Sequence, residues 1–265
     1  MQLQQGKDAE MELAFQDIGD GEPVVILHGL FGAAKNWNSI AKQMARSYRI
    51  LTLDLRNHGS SPWTDTMSYV EMAEDIVEFL DQRGLDQAHI VGHSMGGKVA
   101  MTTALKAGER VKSLVVADIA PVKYPRMTFK SYVDKLQSVD LTSVKRRNEV
   151  DPLISDVIES PAVRAFLLGN LENTSEGLRW QVNLETLGKE MDSIGGVPAI
   201  RPDAKYDGPC LFINGGNSDY VQSSQHQLIK HLFPKVTFQT IEGAGHWLHA
   251  EKPHDFMKAL SDFLP

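Results

Sequence analysis

Cysteine is almost missing from this chain of 265 residues: Cys210 stands alone, so no internal disulfide can form, and no Cys/His spacing resembles a structural zinc site. A reducing compartment suits that usage. No stretch approaches the roughly 18 uninterrupted apolar residues of a membrane helix, and the opening MQLQQGKDAEMEL lacks the apolar centre of a secretion signal. The expected location is therefore the cytoplasm. Positive charge is in deficit, with 27 Lys and Arg against 34 Asp and Glu and a formal net charge of −7. Such a chain offers no electrostatic footprint for nucleic acid or anionic lipid, so neither is an expected partner. A Gly-rich phosphate loop, a dinucleotide fingerprint and an HExxH helix are also lacking, and the expectation is no cofactor and no metal.

What is present is an ordinary globular composition, 42% hydrophobic and 23% charged, enough for one large core. Short apolar runs at 24–27, 50–53, 90–91, 114–116 and 211–213 read as strands buried on both faces, and 236–241 as a further one. Helical periods separate them. Tyr69, Met72, Ala73, Ile76, Phe79 and Leu80 recur at steps of three or four up to a stop at Gly84, and further helices are expected after Ser94, near 222–232 and at 253–264. This alternation predicts α/β layering with a mostly parallel sheet. It breaks between about 121 and 202, a stretch rich in charge and helix formers. That stretch reads as a helical cap over the carboxyl ends of the strands, where open α/β sheets place their ligands.

The strongest chemical signal is Gly92-His93-Ser94-Met95-Gly96, between a predicted strand and a predicted helix. G-x-S-x-G in that context is a nucleophile elbow, in which small flanking residues let a tight turn expose a hydroxyl. A serine hydroxyl needs a base at neutral pH. His246 fits best: it follows the strand at 236–241 in EGAGHW, where Gly243 and Gly245 allow a loop to reach the sheet top. The other eight histidines lack that setting. A histidine base predicts activity that rises with pH through about 6.5.

HGLFG at 28–32, DLRNHGSS at 54–61, GHSMGG around Ser94 and GAGHW around His246 stand in the order found in α/β-hydrolases. The sequence resembles that family over nearly its whole length, and within it the small bacterial esterases of the YbfF type. The resemblance implies a core at 1–120 and 203–265, a helical cap at 121–202, and a triad in the order serine, acid, histidine. In many members the acid follows a late strand as G-x-x-D-x-x-V, but here Gly215 and Val221 both count to Ser218, and Asp219 is displaced by one. YbfF-type esterases use an acid after an earlier strand with a serine near the usual acid position. The resemblance therefore favours Asp118, after SLVVAD, with Ser218 as an auxiliary hydrogen-bonding group; Asp219 is the alternative. It also implies an oxyanion hole made by the Leu30 and Met95 N–H groups.

Phe31, Met127, Phe166, Leu167, Trp180 and Trp247 are candidates for an acyl pocket. Asp54, Arg56 and His58 are expected to brace loops, Cys210 to be a buried apolar filler, and the basic run at 145–147 to be a solvated face or a seat for an anionic substrate tail. The function expected is a cofactor-free serine hydrolase acting on small-molecule carboxylic esters or acyl thioesters. Alternatives on the same scaffold are a Ser-triad carbon–carbon hydrolase, perhydrolase or lyase, and a non-catalytic binding protein. Nothing in the sequence indicates an oligomeric state.

Overall fold

A computed structural model describes residues 11–124, 127–197, 201 and 203–265. Seven strands form one sheet: β1 (Phe15–Ile18), β2 (Glu22–Leu27), β3 (Tyr48–Leu53), β4 (Ala88–His93), β5 (Val111–Ala117), and, beyond a long insertion, β8 (Cys210–Gly215) and β9 (Val236–Ile241), in the order β1-β3-β2-β4-β5-β8-β9. Only β1 runs antiparallel to its neighbour, β3. The inner strands carry unbroken apolar runs because helices cover both faces. α1 (Asn38–Met44) and α11 (Pro253–Phe263) pack on one face around Trp37, Ile40, Phe256 and Leu260. The other face is covered by α2 (Tyr69–Gln82) and α3 (Met95–Lys106).

α2 shows how sequence becomes position. Ser68 Oγ accepts from Glu71 N–H at 3.2 Å, and Glu71 Oε2 accepts from Ser68 N–H at 2.9 Å, a reciprocal cap that fixes the first turn. The expected stripe from Tyr69 to Leu80 is buried throughout. On the same helix the carboxylate of Asp75 accepts two hydrogen bonds from Arg56, both at 2.6 Å. Asp54 accepts from Ala34 N–H at 2.7 Å and Ser60 N–H at 2.9 Å, so Asp54 and Arg56 brace loops as their motif suggests. Cys210 is fully buried, and burial raises its thiol well above the ordinary range.

Between β5 and β8 the chain builds α4 (Met127–Gln137), α5 (Arg147–Ile154), α6 (Pro161–Leu168), the hairpin β6 (Leu171–Thr174) with β7 (Gly177–Trp180), α7 (Leu184–Lys189) and α8 (Met191–Gly195). The insertion is thus not wholly helical. Its ENTSEGLRW segment turns at Gly177, whose φ of +118° suits glycine, and pairs antiparallel although its Glu, Leu and Arg are good helix formers. The insertion is pinned where it leaves and rejoins the core. Lys98 on α3 is buried, and its Nζ donates to Val122 O at 2.8 Å and Gly196 O at 2.5 Å. Two short elements complete the chain, α9 (His226–Leu232) and α10 (Leu248–Glu251). Among the described residues no helix is long and apolar enough to cross a membrane.

Candidate active site

Ser94 lies between β4 and α3 with φ +53° and ψ −118°, a conformation L-residues rarely hold. Neighbours enforce it. A Cβ on Gly92 would sit 2.2 Å from Gly96 O, and one on Gly96 would sit 2.5 Å from both Leu27 O and His28 O. The elbow therefore presses β4, α3 and the end of β2 together in a way only glycine permits, and the hydroxyl projects from the top of the sheet.

Asp118 ends β5. Its N–H donates to Ile213 O at 2.8 Å, continuing the ladder to β8, and a φ of +51° then turns the side chain along the sheet top. There the fully buried carboxylate receives three hydrogen bonds: Gly215 N–H to Oδ1 at 3.0 Å, and Ser218 Oγ at 2.5 Å and His246 Nδ1 at 2.7 Å to Oδ2. His246 Nε2 lies 3.0 Å from Ser94 Oγ. A continuous path thus runs from Ser94 through His246 to Asp118, with Ser218 attached. Asp219 is exposed and takes no part.

The loop holding His246 is itself held. Glu251, on α10, accepts from Gly245 N–H at 2.7 Å and Trp247 N–H at 3.2 Å, fixing the main chain on both sides of the imidazole. His93 Nε2–H donates to His246 O at 2.8 Å. The Tyr220 ring stacks on His246, with centroids 4.0 Å apart and planes at 20°. Burial, followed by the neighbouring His249 and His246, pushes His93 well below the usual imidazole range, so it stays neutral and serves as a donor. Tyr220 and His93 were not singled out from the sequence. His93 is the variable position of the elbow motif, and Tyr220 acts through a ring contact that no local spacing encodes.

Leu30 and Met95, the expected oxyanion-hole donors, lie on the turn after β2 and at the start of α3. Met95 opens α3, so its N–H belongs to the first turn, where no intrahelical acceptor exists. Leu30 is the second residue of a turn closed by Gly32 N–H donating to Gly29 O at 2.9 Å. His28 and His58 support this turn from below: Leu55 N–H donates to His28 Nε2 at 3.0 Å and Phe31 N–H to His58 Nε2 at 3.2 Å. Both acceptors require neutral rings. Burial lowers His28 to about 4 and His58 to about 3.

Above Ser94 a cavity of about 270 Å³ opens between the core loops and the insertion. Phe31, Phe166, Leu167 and Trp247 line it, together with Phe129, Tyr132, Val163 and Tyr220, which the sequence did not single out. Its walls are overwhelmingly apolar. Trp180 does not line it: this residue on β7 lines a separate groove with Trp63 and with Leu178, which shares its face of the strand. The side chain of Met127 lies outside the described residues. None of the basic residues at 145–147 lines the cavity; Arg147 instead donates to Leu171 O at 2.7 Å and braces the insertion.

The family described as "alpha/beta hydrolase fold" matches residues 22–151. The sn-1-specific diacylglycerol lipase ABHD11 of Mus musculus is 42% identical over 248 residues, spanning 91% of this chain and 80% of that protein. Esterase YbfF of Escherichia coli (strain K12) is 34% identical over 249 residues, spanning 94% and 95% respectively. A solved structure titled "Marine microorganism esterase" superposes with a TM-score of 0.91 at 41% identity, covering 96% of this chain and all of that one. The chain belongs to the α/β-hydrolase family, among relatives named as esterases and lipases.

Proposed function

We propose that the chain hydrolyses small-molecule carboxylic esters, and acyl thioesters, through an acyl-enzyme on Ser94. The observation that carries this reading is the unbroken hydrogen-bonded path from Ser94 to Asp118 opening into an apolar cavity. Ser94 Oγ attacks the acyl carbon while His246 Nε2 takes its proton. The same imidazolium then protonates the leaving alkoxide or thiolate, and water repeats the sequence to free the acid. Asp118 accepts the Nδ1–H hydrogen bond throughout without itself becoming protonated, keeps Nε2 basic and stabilises the imidazolium. Charge gathering on the acyl oxygen meets the Leu30 and Met95 N–H groups, and losing one such donor costs ~10²- to 10³-fold in rate.

A cavity of about 270 Å³ lies near the lower end of the ~300–1,000 Å³ range of small-molecule sites. It suits a single short or medium acyl chain with the alcohol part leading outward. The mouse relative is named for diacylglycerol, an ester of two acyl chains, so the size of the acyl part is the informative variable. p-Nitrophenyl esters and acyl-CoA thioesters of graded length, assayed against wild type and Ser94→Ala, test the reading. Expected are turnover of short and medium chains by wild type only, and stoichiometric labelling of Ser94 by a fluorophosphonate. Undiminished hydrolysis by Ser94→Ala excludes the acyl-enzyme; neither turnover nor labelling in wild type favours a binding protein.

A further inference from the structure

The turn that presents Leu30 is held from two sides in a conformation its sequence does not favour. Phe31, the third residue of the Gly29–Gly32 turn, has a φ of +59°, and Leu30 is not among the residues at positive φ. That combination is a type II turn, which ordinarily takes glycine or asparagine at this place because a side chain crowds the backbone. A phenylalanine stays there only where its surroundings over-determine it.

Two buried groups do so. From the core, His58 Nε2 accepts the Phe31 N–H. From the cap, Asn170 Nδ2 donates to Phe31 O at 2.8 Å. Asn170 follows α6, is 3% exposed, and is anchored by a second Nδ2 bond to Leu167 O at 3.1 Å and by its own carbonyl accepting from Gln181 N–H at 2.7 Å. Beside it, Lys35 Nζ donates to Gly169 O at 2.7 Å, so the turn's flank and the end of α6 are tied twice. If Phe31 relaxed to negative φ, the Leu30–Phe31 peptide would turn over, the Phe31 N–H would leave His58 Nε2, and the turn that carries the Leu30 N–H would be free to shift.

We propose that Asn170 is a positioning residue of the oxyanion hole: by holding the Phe31 carbonyl, the cap keeps the Leu30 N–H aimed at the reacting oxygen. This rests on the esterase reading above. It makes transition-state stabilisation depend on a seated cap, although the cap supplies none of the reacting groups.

A double-mutant cycle tests it on the full chain, reading kcat, KM, and affinity for a trifluoromethyl ketone whose hemiketal oxyanion occupies the hole. Asn170→Ala is expected to lower kcat about tenfold, the scale of one hydrogen bond rather than of a lost donor. Ketone affinity should fall in step while KM stays within about twofold. Glycine enters positive φ freely. In a Phe31→Gly background, Asn170→Ala should therefore cost less than about twofold in kcat. An equal loss in both backgrounds, or a change confined to KM, makes Asn170 a packing residue and overturns the proposal. Should Asn170→Ala fail to melt cooperatively, Asn170→Leu, of similar shape but without a donor for the Phe31 carbonyl, takes its place with the same expectations. A wild type with neither turnover nor Ser94 labelling overturns the esterase reading and this inference together; an active wild type whose cycle shows no coupling overturns this inference alone.

Discussion

Replacing Asp118 by asparagine changes one atom and reverses a hydrogen bond on which the whole site depends. The carboxylate receives one donor at Oδ1, from Gly215 N–H, and two at Oδ2, from Ser218 Oγ and His246 Nδ1. An amide must put its NH2 at one of these places. Facing Gly215, it sets donor against donor with no escape, because a backbone N–H cannot accept. Facing Ser218 and His246 is less costly, since the hydroxyl can rotate to accept and the imidazole can change tautomer. That choice moves the imidazole proton from Nδ1 to Nε2, 3.0 Å from Ser94 Oγ, where a base is needed. The same swap in serine proteases lowers kcat about 10⁴-fold, or ~5.5 kcal/mol at 1.36 kcal/mol per decade. A loss of that order is expected for Asp118→Asn in p-nitrophenyl ester hydrolysis at pH 7.5, with melting temperature nearly unchanged because shape is conserved. Asp219→Asn, on an exposed side chain, should stay within about twofold. A tenfold loss or less for Asp118→Asn, or a larger loss for Asp219→Asn, refutes the assignment of the acid.

Ser218→Ala removes one of three donors to the Asp118 carboxylate and should lower kcat by only ~2- to 10-fold, the range of one net hydrogen bond; steady-state kinetics beside Asp118→Asn give the ratio, and equal losses would make Ser218 indispensable. Gly92→Ala would place a Cβ 2.2 Å from Gly96 O, so the elbow cannot close; loss of fluorophosphonate labelling and a lowered melting temperature are expected, and normal labelling would contradict the close packing. Acid should destabilise the fold early. Burial depresses His28 and His249 to about 4 and His58 to about 3, below the ~6.5 of an unfolded chain, so protons bind the unfolded state first. Stability is then complete above pH ~6.5 and declines as pH falls toward 4, which melts followed by circular dichroism at several pH values will show; a melting temperature unchanged down to pH 4 would refute the neutral buried rings.

The elements legible in the sequence were those whose burial leaves a local pattern. The runs at 24–27, 50–53 and 211–213 fall inside β2, β3 and β8, and the three- and four-residue steps from Tyr69 to Leu80 lie on α2. β1 was not legible: it is a four-residue edge strand whose middle residues face solvent, so it lacks an apolar run. α1 has only seven residues, too few for a helical period to declare itself. The β6–β7 hairpin hid behind helix-favouring residues, and with it went the orientation of Trp180. Within the site, Ser94 and His246 stood in recognisable surroundings. The preference for Asp118 over Asp219 came from family resemblance, since a carboxylate after a buried strand carries no local mark of its partner. Tyr220 and Asn170 act through contacts made only when distant segments meet.

The buried ammonium of Lys98 bears on attempts to graft a lid from one of these enzymes onto another. Any transplanted segment must bring two main-chain oxygens to the place now taken by those of Val122 and Gly196. Without them a buried cation one turn beyond the attacking serine would lose its two short carbonyl contacts, at a cost of several kcal/mol, with the Tyr69 ring of the core only partly making up the difference. Such chimaeras would then fail at folding before their altered selectivity could be measured, unless position 98 were made apolar in the same step.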